Sequence, residues 1–139
     1  MTLTQESPPI AAPAQSMAMI WTGRVISALP ALFLLMDAAM KLVPPQFVVK
    51  ATTDLGYSER VIVPLGIVLL VSTLLYLVPP TAVLGAILLT GYLGGAVATN
   101  LRARAGWFPL TFPVVFGILL WLGLWLREPR LRALVFWRR

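Results

Sequence analysis

The sequence contains no cysteine and no histidine. Without cysteine the chain can form no disulfide, carry out no thiol chemistry and hold no thiolate-ligated iron–sulfur cluster. Without histidine it has no imidazole for acid–base catalysis, haem ligation or a histidine metal site. No cofactor is therefore expected through His or Cys, and a redox group would have to come from a partner or sit on other ligands. Charge is scarce as well. Only 12% of the 139 residues are Asp, Glu, Lys or Arg, against about 25% in an ordinary soluble domain.

What fills the chain instead is hydrocarbon. Hydrophobic residues make up 59% of it, and the mean hydropathy is +0.88. A sequence with so few charges cannot clothe a folded surface for water, so lipid is the expected solvent. The length suits a single domain. The formal charge of +6 arises from 11 Lys+Arg and 5 Asp+Glu. These basic residues lie between or beyond the apolar runs, with five arginines crowded into 127–139. That placement reads as membrane-flanking charge attracted to anionic headgroups. Membrane lipids are thus the expected partners, and nucleic acid is not.

Residues 1–16 carry no basic residue, one acid (Glu6) and three prolines (Pro8, Pro9, Pro13). They lack the charged start of a cleavable signal peptide, so 1–18 is expected to be a disordered polar tail.

Four apolar segments follow, at about 19–43, 61–78, 81–99 and 108–126. Each provides 18 to 25 residues, against the roughly 20 that cross a 30 Å hydrocarbon core. Pro44-Pro45 stops the first and Pro79-Pro80 the second. Pro64 falls in the first turn of the second segment, where a missing N–H costs nothing. Spanning strands would alternate with period two, and these runs do not. A soluble helix would show a polar face, whereas 61–78 offers only Ser72, Thr73 and Tyr76. The expected fold is all-α: a four-transmembrane-helix bundle over 19–127 with short interfacial helices. One such helix is suggested within 44–60 by Phe47, Val48, Ala51 and Leu55, closed by Gly56. The basic C-terminal tail, 128–139, suggests another, with Pro129 at its start, Leu131, Leu134 and Val135 on one side and Trp137 as an interface anchor.

Four spans put both termini on one side of the bilayer. That side holds the five C-terminal arginines and Arg24, and the other holds Lys41, Lys50, Arg60, Arg102 and Arg104. The denser C-terminal cluster favours cytoplasmic termini.

Ionisable groups at lipid depth are expensive and point to function. Asp37 and Lys41 stand at i, i+4 in the first span, on one helix face. They read either as a self-neutralising pair, with Lys41 snorkelling to the headgroups, or as a ligand- or proton-handling pair. The topology brings Asp37, Lys41, Asn100 and Arg102 to similar depth at one membrane face, a candidate polar vestibule between the helices. In the third span Gly91-x-x-x-Gly95, extended by Gly94 and Ala98, forms a candidate helix-packing face, since small residues let two backbones approach. Packing within the bundle is the simpler use of that face, and a dimer or partner seam is the other. The tryptophans fall mostly near span ends, as interfacial belts do; Trp121 lies deeper. No Ser/His/Asp set, paired carboxylates, phosphate-cradling glycine loop or metal cluster is visible.

Several stretches resemble the DoxX-like family: Gly23-Arg24-Val25-Ile26-Ser27, Asp37-Ala38-Ala39-Met40-Lys41, Leu55-Gly56-Tyr57, the long run from Leu84 to Arg102, and Leu126-Arg127-Glu128-Pro129-Arg130-Leu131-Arg132. The resemblance extends over about 20–134. It implies a small four-helix protein of the bacterial inner membrane, in the setting of a membrane complex or of quinone and lipid. The sequence departs from the pattern at Asn100, where relatives often carry His. A proton-transfer or metal role is therefore not carried over to that position.

Three functional expectations follow. The first is a non-catalytic accessory or structural subunit of a larger membrane complex, packing against other subunits or against itself as a homo-oligomer. The second is a protein that binds a quinone or a lipid, with Asp37, Lys41, Asn100 and Arg102 at the mouth. An enzyme, such as a quinone-linked oxidoreductase component relying on Asp, Lys, Tyr76 or Tyr92, is the least supported of the three.

Overall fold

The computed structural model describes residues 16–136, and among these it contains helices and turns but no strand. Helix α1 spans Met17–Leu42 and is started by Ser16, whose hydroxyl accepts the Met19 N–H at 3.2 Å. It stays continuous through the buried Pro30. The short α2, Gln46–Asp54, follows the Pro44-Pro45 stop. It ends before Gly56, whose φ of 92° is a turn geometry that glycine adopts without strain. A 3-10 turn at Glu59–Val61 leads into α3, Ile62–Leu77. Val78 and a second such turn, Pro79–Thr81, are all that separate α3 from α4, Ala82–Arg102. Helices α5, Trp107–Arg127, and α6, Pro129–Phe136, complete the described residues.

The observed spans lie within a few residues of those expected, with one consequential difference. The third span runs on to Arg102, so Asn100 and Arg102 belong to the helix and not to a loop. Nothing between Thr99 and Arg102 breaks a helix, and the Asn100 amide donates to the Ala96 carbonyl at 2.8 Å. The chain turns only at Arg104, which adopts a φ of 54°. The starts of α1 and the ends of α3 and α5 share one membrane face, the terminal face; the opposite one, with α2, is the loop face.

The four long helices form a ring in chain order: α1 packs against α3 and α5, and α4 against the same two. Ala31, Leu34, Leu69, Leu89, Leu120 and Leu124 fill its centre. Large apolar side chains point outward from every span, with Leu32 62%, Ile67 49%, Ile87 55% and Ile118 60% exposed. Water would not tolerate such a surface, and hydrocarbon would. All four helices are long and apolar enough to cross a membrane.

Glycine sets how closely the ring closes. A side-chain carbon at Gly85 would fall on the backbone of Tyr76 in α3, and one at Gly123 would meet Ser27 in α1. At Gly66 it would lie 2.8 Å from Cβ of Lys41. Lipid supplies no hydrophobic drive between helices, so this close approach, with its dispersion contacts, holds the seams together.

Gly91, Gly94 and Gly95 behave differently. A side chain at any of them would meet nothing within 4 Å, and Ala98 is exposed. The reading of this face as packing within the bundle is therefore corrected. The stripe faces away from the ring because the buried side of α4 is made by Ala82, Gly85, Ala86, Leu89 and Leu93.

The interfacial helix expected in 44–60 is α2, with Val48 buried and Phe47 64% exposed. On α6, Leu131 packs against the core while Leu134 is exposed. Of the tail expected over 1–18, residues 1–15 lie outside the described residues, as does the anchor Trp137, while Met17 and Ala18 already belong to α1.

Candidate functional site

The loop face gathers the first polar group. On α1, the Lys41 ammonium contacts both carboxylate oxygens of Asp37 at 2.6 Å. One helical turn separates the two residues, and both are half-buried. Each thus neutralises the other where an isolated charge would be costly.

Across the bundle, Tyr92 on α4 lies within electrostatic range of Asp37 and of Tyr57. The Tyr57 hydroxyl is 2.7 Å from that of Thr99, tying the end of the α2 loop to α4. Arg102, Thr99 and Ala98 then face Leu55, Gly56 and Tyr57 around a recess of about 200 Å³.

The four residues expected at the vestibule thus occupy the same end of the bundle but do not form one cluster. Asp37 and Lys41 pair with each other. Asn100 spends its amide on its own helix, and Arg102 is exposed at the recess. Among the described residues, neither Asn100 nor Arg102 bonds to the Asp37–Lys41 pair. The bond that ties the α2 loop to α4 is made by Tyr57 and Thr99, with Tyr92 further along α4, and sequence reasoning did not place either tyrosine there. A signal existed: Tyr92 and Thr99 are seven residues apart, and so share a face of α4.

The second polar group lies at the terminal face and is buried. Tyr76 donates its hydroxyl to the Leu120 carbonyl at 2.6 Å and lies 3.1 Å from the Ser27 hydroxyl. One phenol therefore joins α3 to α5 and α1. The Arg127 guanidinium caps it, donating to the Tyr76 carbonyl at 2.9 Å and lying 4.8 Å from the ring centre. Among the described residues no buried side-chain polar atom of Tyr76, Ser27 or Arg127 lacks a partner, which marks the set as a structural clamp.

The third feature is an apolar groove of about 630 Å³ between α4 and α5. Gly94 and Gly117 keep it open, Trp121 and Trp125 wall it, and Leu131 of α6 closes its terminal-face end. Inside it the Trp121 indole donates to the Thr90 hydroxyl at 2.7 Å. The groove lies on the outer surface of the bundle, not at the mouth formed by Asp37 and Lys41.

Chemically, the loop-face group can hydrogen-bond a polar head and the groove can hold a hydrocarbon tail. Among the described residues no cluster of His, Cys, Asp or Glu could hold a metal ion.

Four spanning helices in a ring, with charge confined to their ends, define a multi-pass membrane bundle. The matching pattern identifies which one: the chain belongs to the DoxX-like family, whose model covers residues 25–123. No curated protein and no solved structure matches the chain. The resemblance read from the helix-end and α4 motifs is thereby borne out.

Proposed function

We propose that this DoxX-like protein is an accessory subunit of a membrane assembly, docking through the outward face of α4 against a partner helix or a second copy of itself. The observation that supports this is the open space over Gly91 and Gly95, which lie outside the α4–α5 groove. Their lack of side chains serves no contact inside the bundle, and it leaves a shallow track along which another backbone can lie. The setting is a bacterial cytoplasmic membrane with cytoplasmic termini, a placement favoured by the arginine-rich end of the chain.

The test is the assembly's mass in discs excised from native membranes without detergent. The wild-type chain should run well above its own 15.2 kDa, and G95L should fall towards the single-chain value while keeping its thermal stability. A wild-type chain found alone in such discs would overturn the reading.

A second reading, binding of a quinone or lipid, is favoured by the α4–α5 groove. Its size falls in the range of small-molecule sites, roughly 300–1,000 Å³, and the Trp121–Thr90 pair gives it a polar point at depth. Extraction and mass analysis of what co-purifies tests it; a protein free of any bound amphiphile argues against it.

A further inference from the structure

The α4–α5 groove ends at the terminal face against α6, and the chemistry changes abruptly there. Leu131 is the last apolar wall. On either side of it stand Arg130, exposed, and Arg132, half-buried. The Arg132 guanidinium lies 5.9 Å from the ring centre of Trp125, which itself walls the groove. Its hydrogen-bonding is poorly met. One terminal nitrogen reaches the sulfur of Met19 at 3.1 Å, a weak acceptor. The buried Nε has no acceptor among the described residues. A guanidinium is a five-donor fork suited to phosphate, and here it is left short of anions at the mouth of a hydrocarbon slot.

The dimensions also fit one occupant. From Pro113 to Trp125 the groove follows α5 for about 18 Å, at 1.5 Å per residue. That is close to the depth of a single leaflet, half of a core of about 30 Å.

We propose that the groove is a binding site for an anionic phospholipid of the terminal-face leaflet. One acyl chain lies along Trp125, Trp121, Gly117 and Gly94, and the phosphate is held by Arg132 beside Trp125. This rests on the amphiphile reading of the groove and adds the headgroup class and the leaflet.

The test uses the full chain with Trp21, Trp107 and Trp137 replaced by Phe, so that only the groove tryptophans report. The protein is reconstituted into phosphatidylcholine vesicles containing a minor fraction of brominated lipid. That lipid is either phosphatidylglycerol or phosphatidylcholine with identical chains. Brominated phosphatidylglycerol should quench more strongly, with a relative binding constant about fivefold higher per arginine engaged. R132Q should lose most of that preference, while R132K should retain much of it and controls for folding.

Equal quenching by the two brominated lipids, or a preference unchanged in R132Q, would overturn the headgroup assignment while leaving the groove as a lipid slot. No quenching by either lipid would sink both the assignment and the groove reading.

Discussion

Two glycines on the same helix should respond oppositely to the same added methyl group. A Cβ at position 85 would lie 2.7 Å from the carbonyl carbon of Leu75, and closer still to the backbone of Tyr76. Non-bonded carbons settle at about 3.5–4.0 Å, so α3 and α4 would have to part by roughly 1 Å. The obstacle is backbone, with no flexible side-chain end to swing aside, and the connection between the helices is only the four residues 78–81. Overpacking of this kind costs about 1–3 kcal/mol. Parting α3 from α4 also strains the bonds that Tyr76 makes to Ser27 and Leu120, which pushes the cost towards the upper end. At position 95 the same methyl group meets open space. The gain in helix propensity from Gly to Ala is common to both variants and cancels. G85A should therefore be about 1–3 kcal/mol less stable than G95A. Reversible unfolding in mixed micelles, titrated with a denaturing detergent and followed by far-UV circular dichroism, measures the difference. If both variants unfolded at the same detergent fraction, the close crossing of α3 and α4 would be refuted.

Removing either partner of the Asp37–Lys41 pair, by D37N or K41M, should cost about 1–3 kcal/mol by stranding the other charge. D37N/K41M should recover much of it, and a double-mutant cycle in the same micelles reads the coupling. Y76F removes the hydroxyl that joins three helices and should cost about 0.6–1.7 kcal/mol, from the average to the maximum measured for interhelical hydrogen bonds in lipid; a neutral result in the unfolding titration would show that the clamp carries no load. R127Q loses both the bond to the Tyr76 carbonyl and the contact with its ring. It should cost about 1 kcal/mol, and hydrogen exchange at the last turn of α3 should accelerate.

The spans were legible because hydropathy and proline punctuation report directly on what crosses lipid and where it stops. The end of α4 was not. Asn100 and Arg102 are polar and look like loop residues, yet the Asn100 amide bonds within its own helix. Glycine spacing misled in a more instructive way. Gly91-x-x-x-Gly95 establishes that two small residues share a face, but it says nothing of what that face meets. The glycines that do set helix approach, Gly23, Gly66, Gly85 and Gly123, stand apart from one another in sequence and acquire meaning only opposite Arg127, Lys41, Tyr76 and Ser27. Asp37 and Lys41 could be paired from spacing alone, being one turn apart. Tyr76 could not be matched to its partners, which lie 44 and 49 residues away. The Arg132 mouth of the groove was equally hidden, since it needs α6 folded back beneath Trp125.

The ring has a consequence for how the molecule is made. Helices α1, α3 and α4 can meet in the order in which a ribosome delivers them, each new span finding its neighbour already in the bilayer. The seam between α1 and α5 cannot, because it joins the first span synthesised to the last. Until α5 has been inserted, Ser27 and Gly23 lack their opposing surface and Tyr76 lacks the carbonyl of Leu120. A chain truncated before residue 107 would hold three helices in an open arc, with the Ser27 and Tyr76 hydroxyls no longer covered by α5.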